Sequence, residues 1–216
     1  MNKRPIDLLM FDFDGTLTDS IPAAVESIQA MQKQLGLPHK TNEEISSHVG
    51  YGEEPLVSGS IGSKDKTLVE KAMAAYFEIY LKNGIYIVKP YPHIHEMLEH
   101  FKDKIIIIIS NKKHDFIEKI LKNIGLFDYF KEIYGGDTSP CLKPDPCMIN
   151  SIIQKYSIQK NRALFIGDMT IDVETGRNAG VTTCAVTYGF DPKEKLAKTK
   201  PDFIIDDPSQ LQTLID

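Results

Sequence analysis

Leu8-Leu9-Met10-Phe11-Asp12-Phe13-Asp14-Gly15-Thr16-Leu17-Thr18-Asp19 drives an apolar run into two acids set two residues apart, and then into a glycine turn. A run this hydrophobic belongs inside a protein, yet it ends in carboxylates. Other runs of the same kind follow at Ile105 to Ile109, Ala163 to Ile166, Thr182 to Val186 and Phe203 to Ile205. They are continuous rather than alternating, the mark of strands buried on both faces of a parallel sheet. The unbroken isoleucines from Ile105 to Ile109 are the plainest case, because β-branched side chains in series disfavour a helix and suit a strand.

Helical patterns lie between the runs. Phe116, Ile120, Leu121 and Ile124 share a face ahead of Gly125, a helix stop, and Met148, Ile149, Ile152 and Ile153 give another. Strands alternating with helices predict an α/β fold, a Rossmann-like parallel sheet flanked by helices. From about Ser20 to Val88 the alternation breaks. Val25, Ile28, Met31 and Leu35 line one helix face, and Leu68, Ala72, Ala75, Phe77 and Ile79 suggest a second, with no buried strand between. This predicts a helical insertion over 19–88 and a core of 1–18 and 89–216. The crossings fall near Leu17 to Asp19 and near Lys89-Pro90-Tyr91-Pro92, where two prolines stiffen the chain.

Ligands of open α/β sheets bind beyond the carboxyl ends of the strands, so the residues after each run matter most. Asp12 and Asp14 follow the first run, Ser110 and Asn111 the second, and Asp168 the third, with Asp172 four residues on. Lys143 stands in the loop Leu142-Lys143-Pro144-Asp145-Pro146. One acid after a strand is commonly a helix cap, and Asp14 or Asp172 alone would read that way. Three strand ends on one rim instead make a site. Two carboxylates about 4 Å apart repel by roughly 4 kcal/mol at an effective dielectric near 20. Either some protonate or a cation joins them, and oxygen donors in a partly open site suit Mg²⁺, which shares its coordination readily with phosphate. A lysine and a serine beside such an ion are partners for phosphoryl oxygens.

Composition narrows the classes further. The chain has 216 residues, is 42% hydrophobic and carries a net charge of -5, which supports a sizeable core and offers no basic surface for nucleic acid or an anionic membrane. No apolar run is long enough for a membrane span, and the N-terminus lacks the pattern of a secretory signal. The cysteines Cys141, Cys147 and Cys184 are few and odd in number, so they read as free thiols of a reducing, cytoplasmic compartment rather than as a zinc site or a redox pair.

With these motifs in view, the sequence resembles the haloacid dehalogenase superfamily, and within it the phosphatases. The family's four motifs stand in order at Asp12 to Thr16, at Ser110, at Lys143 and at Gly167-Asp168-Met169-Thr170-Ile171-Asp172. The resemblance implies that Asp12 is the nucleophile and Asp14 the general acid and base. It implies Mg²⁺ held by Asp12, the Asp14 carbonyl and Asp168, with Asp172 as a ligand or behind one. Ser110, the Asn111 backbone and Lys143 would hold the phosphoryl group, and the insertion would be a cap that closes over a small phosphorylated metabolite. A monomer or small homo-oligomer is expected. Gly135-Gly136-Asp137-Thr138, Val49-Gly50-Tyr51-Gly52, and Gly176 to Val181 with Thr187 to Phe190 are most similar to the phosphoglycolate phosphatase group. A phosphomutase of the β-phosphoglucomutase type or a pyrophosphatase would share this core, whereas a dehalogenase would not need Asp14. Three departures stand out. Met169 replaces a small hydroxyl residue, His93 stands where relatives have glycine, and Glu53 and Glu54, if they face the site, would repel a substrate carboxylate.

Overall fold

The computed structural model describes residues 3–216. Met1 and Asn2, the start of the predicted core segment, lie outside the described residues. The chain runs β1 (Leu8–Phe11), β2 (Thr18–Asp19), α1 (Ile21–Leu35), α2 (Asn42–Ser46), α3 (Glu53–Ile61), α4 (Lys66–Lys82), β3 (Lys89–Pro90), α5 (Ile94–His100), β4 (Ile105–Ile109), α6 (His114–Asn123), β5 (Glu132–Tyr134), α7 (Cys147–Tyr156), β6 (Ala163–Gly167), α8 (Thr170–Ala179), β7 (Thr182–Val186), α9 (Lys193–Lys198), β8 (Phe203–Ile205) and α10 (Leu211–Leu214).

Six strands form one parallel sheet in the order β5-β4-β1-β6-β7-β8. The five runs expected from sequence are all in it. Their continuous hydrophobicity has the anticipated cause, because alternate side chains enter opposite layers. Leu9, Phe11, Ile106, Ile108, Leu164 and Ile166 face one apolar cluster. Leu8, Met10, Ile107, Ile109, Ala163 and Phe165 face the other. The sequence reading missed β5, whose three residues are only half-buried at the sheet edge and include the charged Glu132.

The strand order fixes where a ligand can sit. From β1 the chain builds outward through β4 and β5, then crosses back to build β6, β7 and β8 on the other side. The carboxyl end of β1 is therefore the topological switch point. Phe11 is in register with Ile108 of β4 and with Ile166 of β6, so Asp12, Ser110 and Asp168 leave the sheet side by side on one rim.

Between β2 and β3 the chain is helical, and β2 and β3 pair antiparallel, Thr18 with Pro90 and Asp19 with Lys89, which brings the two crossings together. In α1 the expected Val25, Ile28 and Met31 are buried. In α4 the buried stripe is Val69, Ala72, Ala75, Tyr76 and Tyr80, while Leu68, Phe77 and Ile79 are half-buried. The expected face is thus rotated, because the two tyrosines carry apolar rings into the interior. Tyr80 stacks on Phe116 of α6 at 4.8 Å, and Phe77 meets the same ring edge-on at 5.5 Å, so the helical segment packs on a core helix.

His93 adopts φ 63°, a left-handed conformation that glycine takes more easily, and its ring meets Asp207 at 2.8 Å. The cysteine reading needs correction. Cys141 and Cys147 are joined as a disulfide with Cα atoms 6.4 Å apart, and only Cys184 is free. The loop between them doubles back, with Asp145 N–H on Leu142 O and Cys147 N–H on the Asp145 carboxylate, which brings its ends together. Among the described residues no helix is long and apolar enough to cross a membrane.

Candidate active site

Asp12 follows β1, and its backbone N–H donates to Ile166 O at 2.9 Å, so it is still tied to the sheet. Its carboxylate is buried. Asp168, at the end of β6, is wholly buried and held from both sides: Thr16 Oγ1 donates to Oδ1 at 2.8 Å and the Phe190 N–H to Oδ2 at 2.8 Å. Asp172 sits in the first turn of α8 and accepts the Met169 N–H at 2.9 Å, capping that helix. One oxygen each of Asp12, Asp168 and Asp172 lies within 4.8 Å of the others.

Lys143 is the cation between them, with Nζ 2.6 Å from Asp172 Oδ1 and 2.8 Å from Asp12 Oδ1. Its backbone is clamped by the Asn111 side chain, which accepts the Lys143 N–H at 2.9 Å and donates to Lys143 O at 3.4 Å. Ser110 is buried beside them and accepts the Lys112 N–H at 3.3 Å. Asp12, Ser110, Asn111, Lys143, Asp168 and Asp172 are thus gathered in one place, with the Asn111 side chain also fixing the Lys143 loop.

Asp14 lies apart from that carboxylate cluster. Its partner is Lys112, whose Nζ stands 3.1 Å from Asp14 Oδ1 and 4.7 Å from the centroid of the Tyr80 ring. Lys112 is only 8% exposed. The sequence reading missed it, since the Lys112-Lys113 pair reads as a solvated helix start. The signal was its place two residues after Ser110, at the end of a buried strand. Glu53, the first residue of α3, is 9% exposed and accepts the Lys113 N–H at 2.9 Å. Asp137 accepts the next N–H, that of His114, at 2.8 Å, so two acids cap α6 from outside it. Of the two glutamates in doubt, Glu53 is turned inward and Glu54 is exposed.

Asp12, Asp14, Ser20, Glu53, Tyr76, Ser110 and Lys112 line one cavity of about 20 Å³, room on the order of one water molecule. As it stands, this cavity is too small for a phosphate ester. Met169 closes another part of the seam. A Cβ placed on Gly50 would lie 2.3 Å from Met169 Sδ, and Gly50 has φ +97°, so the thioether fills the space that this glycine leaves. The departure at Met169 is therefore a packing contact with the helical segment.

Burial raises the Asp12 carboxyl to about 7, against the pull of Lys143 and with the help of Asp172. Lys143 does not prevent this because it is shared with Asp172. Asp168 is pushed up by burial, then by Asp172 and Asp12. Burial works against the charge of Lys143 and of Lys112, but the neighbouring carboxylates outweigh it and both stay protonated. The cluster suits a small hard cation: the donors are oxygens, they are mutually repulsive, and among the described residues Lys143 is the one cation set between Asp12 and Asp172. Asp12, Asp168 and Asp172 each offer such an ion one oxygen, and Asp172 also makes the shortest contact to Lys143.

A pH dependence follows. A carboxyl that holds its proton more tightly folded than unfolded stabilises the fold at low pH, and loses that contribution as pH rises through its folded pKa. For Asp12 the window runs from the ordinary carboxylate range up to about 7. Mg²⁺ needs the ionised form, so its stabilisation grows over the same window. The Mg²⁺-induced rise in Tm is expected to be larger near pH 8 than near pH 5.5, by several degrees at roughly 2–4 °C per kcal/mol. Thermal scans with Mg²⁺ and with chelator at the two pH values check it, and an equal rise at both contradicts it.

Comparison with known proteins places the chain in a family. A family model described as haloacid dehalogenase-like hydrolase matches residues 9–186. A phosphoglycolate phosphatase of Vibrio parahaemolyticus is 31% identical over 225 residues, covering 100% of this chain and 98% of that protein. The crystal structure of a protein from Haemophilus somnus, described as a predicted phosphoglycolate phosphatase, superposes with a TM-score of 0.91 at 27% identity, over 96% of this chain and 97% of that one. A haloacid dehalogenase-like hydrolase from Streptococcus pneumoniae gives a TM-score of 0.84 at 27% identity, over 96% and 97%. The match runs from β1 through β7 and takes in Asp12, Asp14, Ser110, Lys143, Asp168 and Asp172. By sequence and by fold together, the chain belongs to the haloacid dehalogenase-like hydrolases.

Proposed function

We propose that this hydrolase is a Mg²⁺-dependent phosphatase that cleaves a small phosphate monoester through an aspartyl phosphate on Asp12, with 2-phosphoglycolate as its substrate. The observation that carries the reading is Asp12 itself, a buried carboxylate at the switch point of the sheet whose Oδ1 meets the Lys143 ammonium at 2.8 Å. Asp12 attacks phosphorus as the bond to the leaving oxygen breaks, and Asp14 gives that oxygen its proton. Asp14 then takes a proton from water, the water oxygen attacks phosphorus, and the bond to Asp12 breaks to release phosphate. Ser110, the Asn111 N–H and Lys143 hold the phosphoryl oxygens, and Asp172 keeps Lys143 aimed at them. Asp12, the Asp14 carbonyl and Asp168 would hold Mg²⁺, which offsets their negative charge and that of the phosphoryl group. Residues 19–88 act as the cap, excluding water when closed.

The names of the relatives support 2-phosphoglycolate. Glu53 favours a second reading, an ester without a carboxylate, because its own carboxylate lines the cavity. A cytoplasmic setting rests on the scarcity of cysteine, and the Cys141–Cys147 bond counts against it. Phosphate release is the test, with 2-phosphoglycolate, sugar phosphates, nucleoside monophosphates and pyrophosphate each supplied with Mg²⁺ or chelator. Turnover is expected to require Mg²⁺ and to favour 2-phosphoglycolate. Release that persists in chelator sinks the mechanism, and preference for another ester sinks the substrate.

A further inference from the structure

We propose that Lys112 Nζ and the Lys113 N–H form a carboxylate-binding subsite beside the reacting centre, and that Glu53 occupies it with its own carboxylate until a substrate carboxylate displaces it. The inference rests on the phosphoglycolate reading and says how that substrate is accommodated despite Glu53.

Lys112 is a buried ammonium lining the same cavity as Asp12 and Asp14. Its Nζ is 3.1 Å from Asp14 Oδ1, the group that protonates the leaving oxygen. In 2-phosphoglycolate the carboxylate carbon is two bonds from that oxygen. A substrate whose bridging oxygen meets Asp14 therefore brings its carboxylate next to Lys112.

The second half of the subsite is already shown holding a carboxylate. Glu53 Oε1 accepts the Lys113 N–H at 2.9 Å, at the start of α6, where backbone donors favour an anion. A further polar group points to a ligand here. Ser20 Oγ, on a residue 1% exposed that lines the same cavity, has no hydrogen-bond partner. A hydroxyl buried without a partner is costly, and a ligand oxygen would satisfy it.

Charge and mobility decide which acid gives way. Asp14 stands 3.1 Å from the Lys112 ammonium and Glu53 holds the adjacent Lys113 N–H, so a third carboxylate is tolerated only when one of them leaves. Asp14 lies three residues past β1, where its backbone bridges to Thr18 and its carboxylate pairs with Lys112. Glu53 belongs to the helical segment, which must move in any case for a ligand to enter a cavity of about 20 Å³. Glu53 is then a specificity-determining residue. It competes with a substrate carboxylate for the subsite, and so lowers the preference for carboxylate-bearing esters that Lys112 and the Lys113 N–H would otherwise give.

The experiment measures binding rather than turnover. Calorimetry in Mg²⁺ on Asp12→Asn protein compares 2-phosphoglycolate with 2-hydroxyethyl phosphate, which has a hydroxyl in place of the carboxylate. The ratio of the two affinities isolates the carboxylate. Adding Glu53→Ala is expected to shift the ratio toward 2-phosphoglycolate by roughly tenfold, since the competing anion is gone. Adding Lys112→Met is expected to shift it the other way by at least as much. A ratio unmoved by Glu53→Ala, within about twofold, or moved toward the hydroxyl ester, overturns the proposal. Should Lys112→Met not fold, the Glu53 arm decides alone, and binding of neither ester by the parent also overturns it. The phosphoglycolate reading fails separately, if wild-type protein binds that ester yet releases no phosphate from it.

Discussion

Asp12→Asn is expected to lower phosphate release by about ten-thousand-fold or more, which at 1.36 kcal/mol per tenfold is a loss of roughly 5 kcal/mol or more in transition-state stabilisation. The amide has nearly the volume of the carboxylate and fits the same place at the end of β1, so geometry is spared while the nucleophilic charge is lost. Binding is spared as well, because Lys143 retains Asp172 at 2.6 Å and Asn111 still clamps its backbone. Catalytic loss with an unchanged fold must be told apart from unfolding, and Asp12 offers a clear sign for that. Burial pushes its carboxyl up, so the charge is a cost to the metal-free fold at neutral pH. The substitution removes that cost. Metal-free Asp12→Asn protein is therefore expected to melt no lower than wild type at neutral pH, and to gain less from added Mg²⁺. Phosphate release under substrate saturation, paired with thermal scans, checks both halves. Residual activity above about one part in a hundred would mean that a nucleophile other than Asp12 attacks phosphorus.

The sheet was legible in sequence because its signal is local. A strand buried on both faces shows itself as a continuous apolar run, and the five runs read that way are five of the six sheet strands. The sixth, β5, was hidden because an edge strand of three half-buried residues leaves no such trace. The site was legible for a related reason. In a parallel sheet the residue after each strand reaches the same rim, so Asp12, Ser110 and Asp168 could be grouped before their distances were known. What the sequence concealed depends on contacts between distant segments. Lys112 looks like its solvated neighbours until Tyr80, from the helical segment, covers it. Glu53 and Glu54 are equivalent on paper, and only the docking of α3 on the core turns one inward. Cys141 and Cys147 look unpaired because their closeness comes from a turn at Asp145. Met169 reads as the loss of a polar contact, and gains its meaning from Gly50 on the other side of the seam.

Gly15→Ala carries the other large effect, and it tests the proposed metal site without replacing a proposed ligand. Gly15 has φ +82°, where an L side chain is strained, and a Cβ built there would stand 2.2 Å from Asp168 Oδ2 and 2.6 Å from its Cγ. Both atoms belong to a carboxylate with no room to withdraw, since Thr16 Oγ1 and the Phe190 N–H fix its two oxygens. A methyl group at Gly15 must therefore break one of those hydrogen bonds or push the Asp12–Asp14 loop off the strand end. Either outcome separates Asp168 from Asp12. Activity at low Mg²⁺ is expected to fall by roughly a thousandfold, with the Mg²⁺ concentration for half-maximal activity raised at least tenfold, because one ligand is displaced rather than removed. Strain at positive φ alone costs about 1–2 kcal/mol, so the fold survives with a lowered Tm. Gly36→Ala is the matched control. Gly36 has φ +66° and nothing within 4 Å of its built Cβ, so it takes the same backbone strain in open space. That variant should melt lower by a similar amount and keep its activity and Mg²⁺ dependence. If both variants lose activity alike, the loss follows from backbone strain and Gly15 has no special relation to the metal. If Gly15→Ala alone loses it, and Mg²⁺ restores part, then the glycine after the second acid is there because Asp168 needs the space a side chain would take.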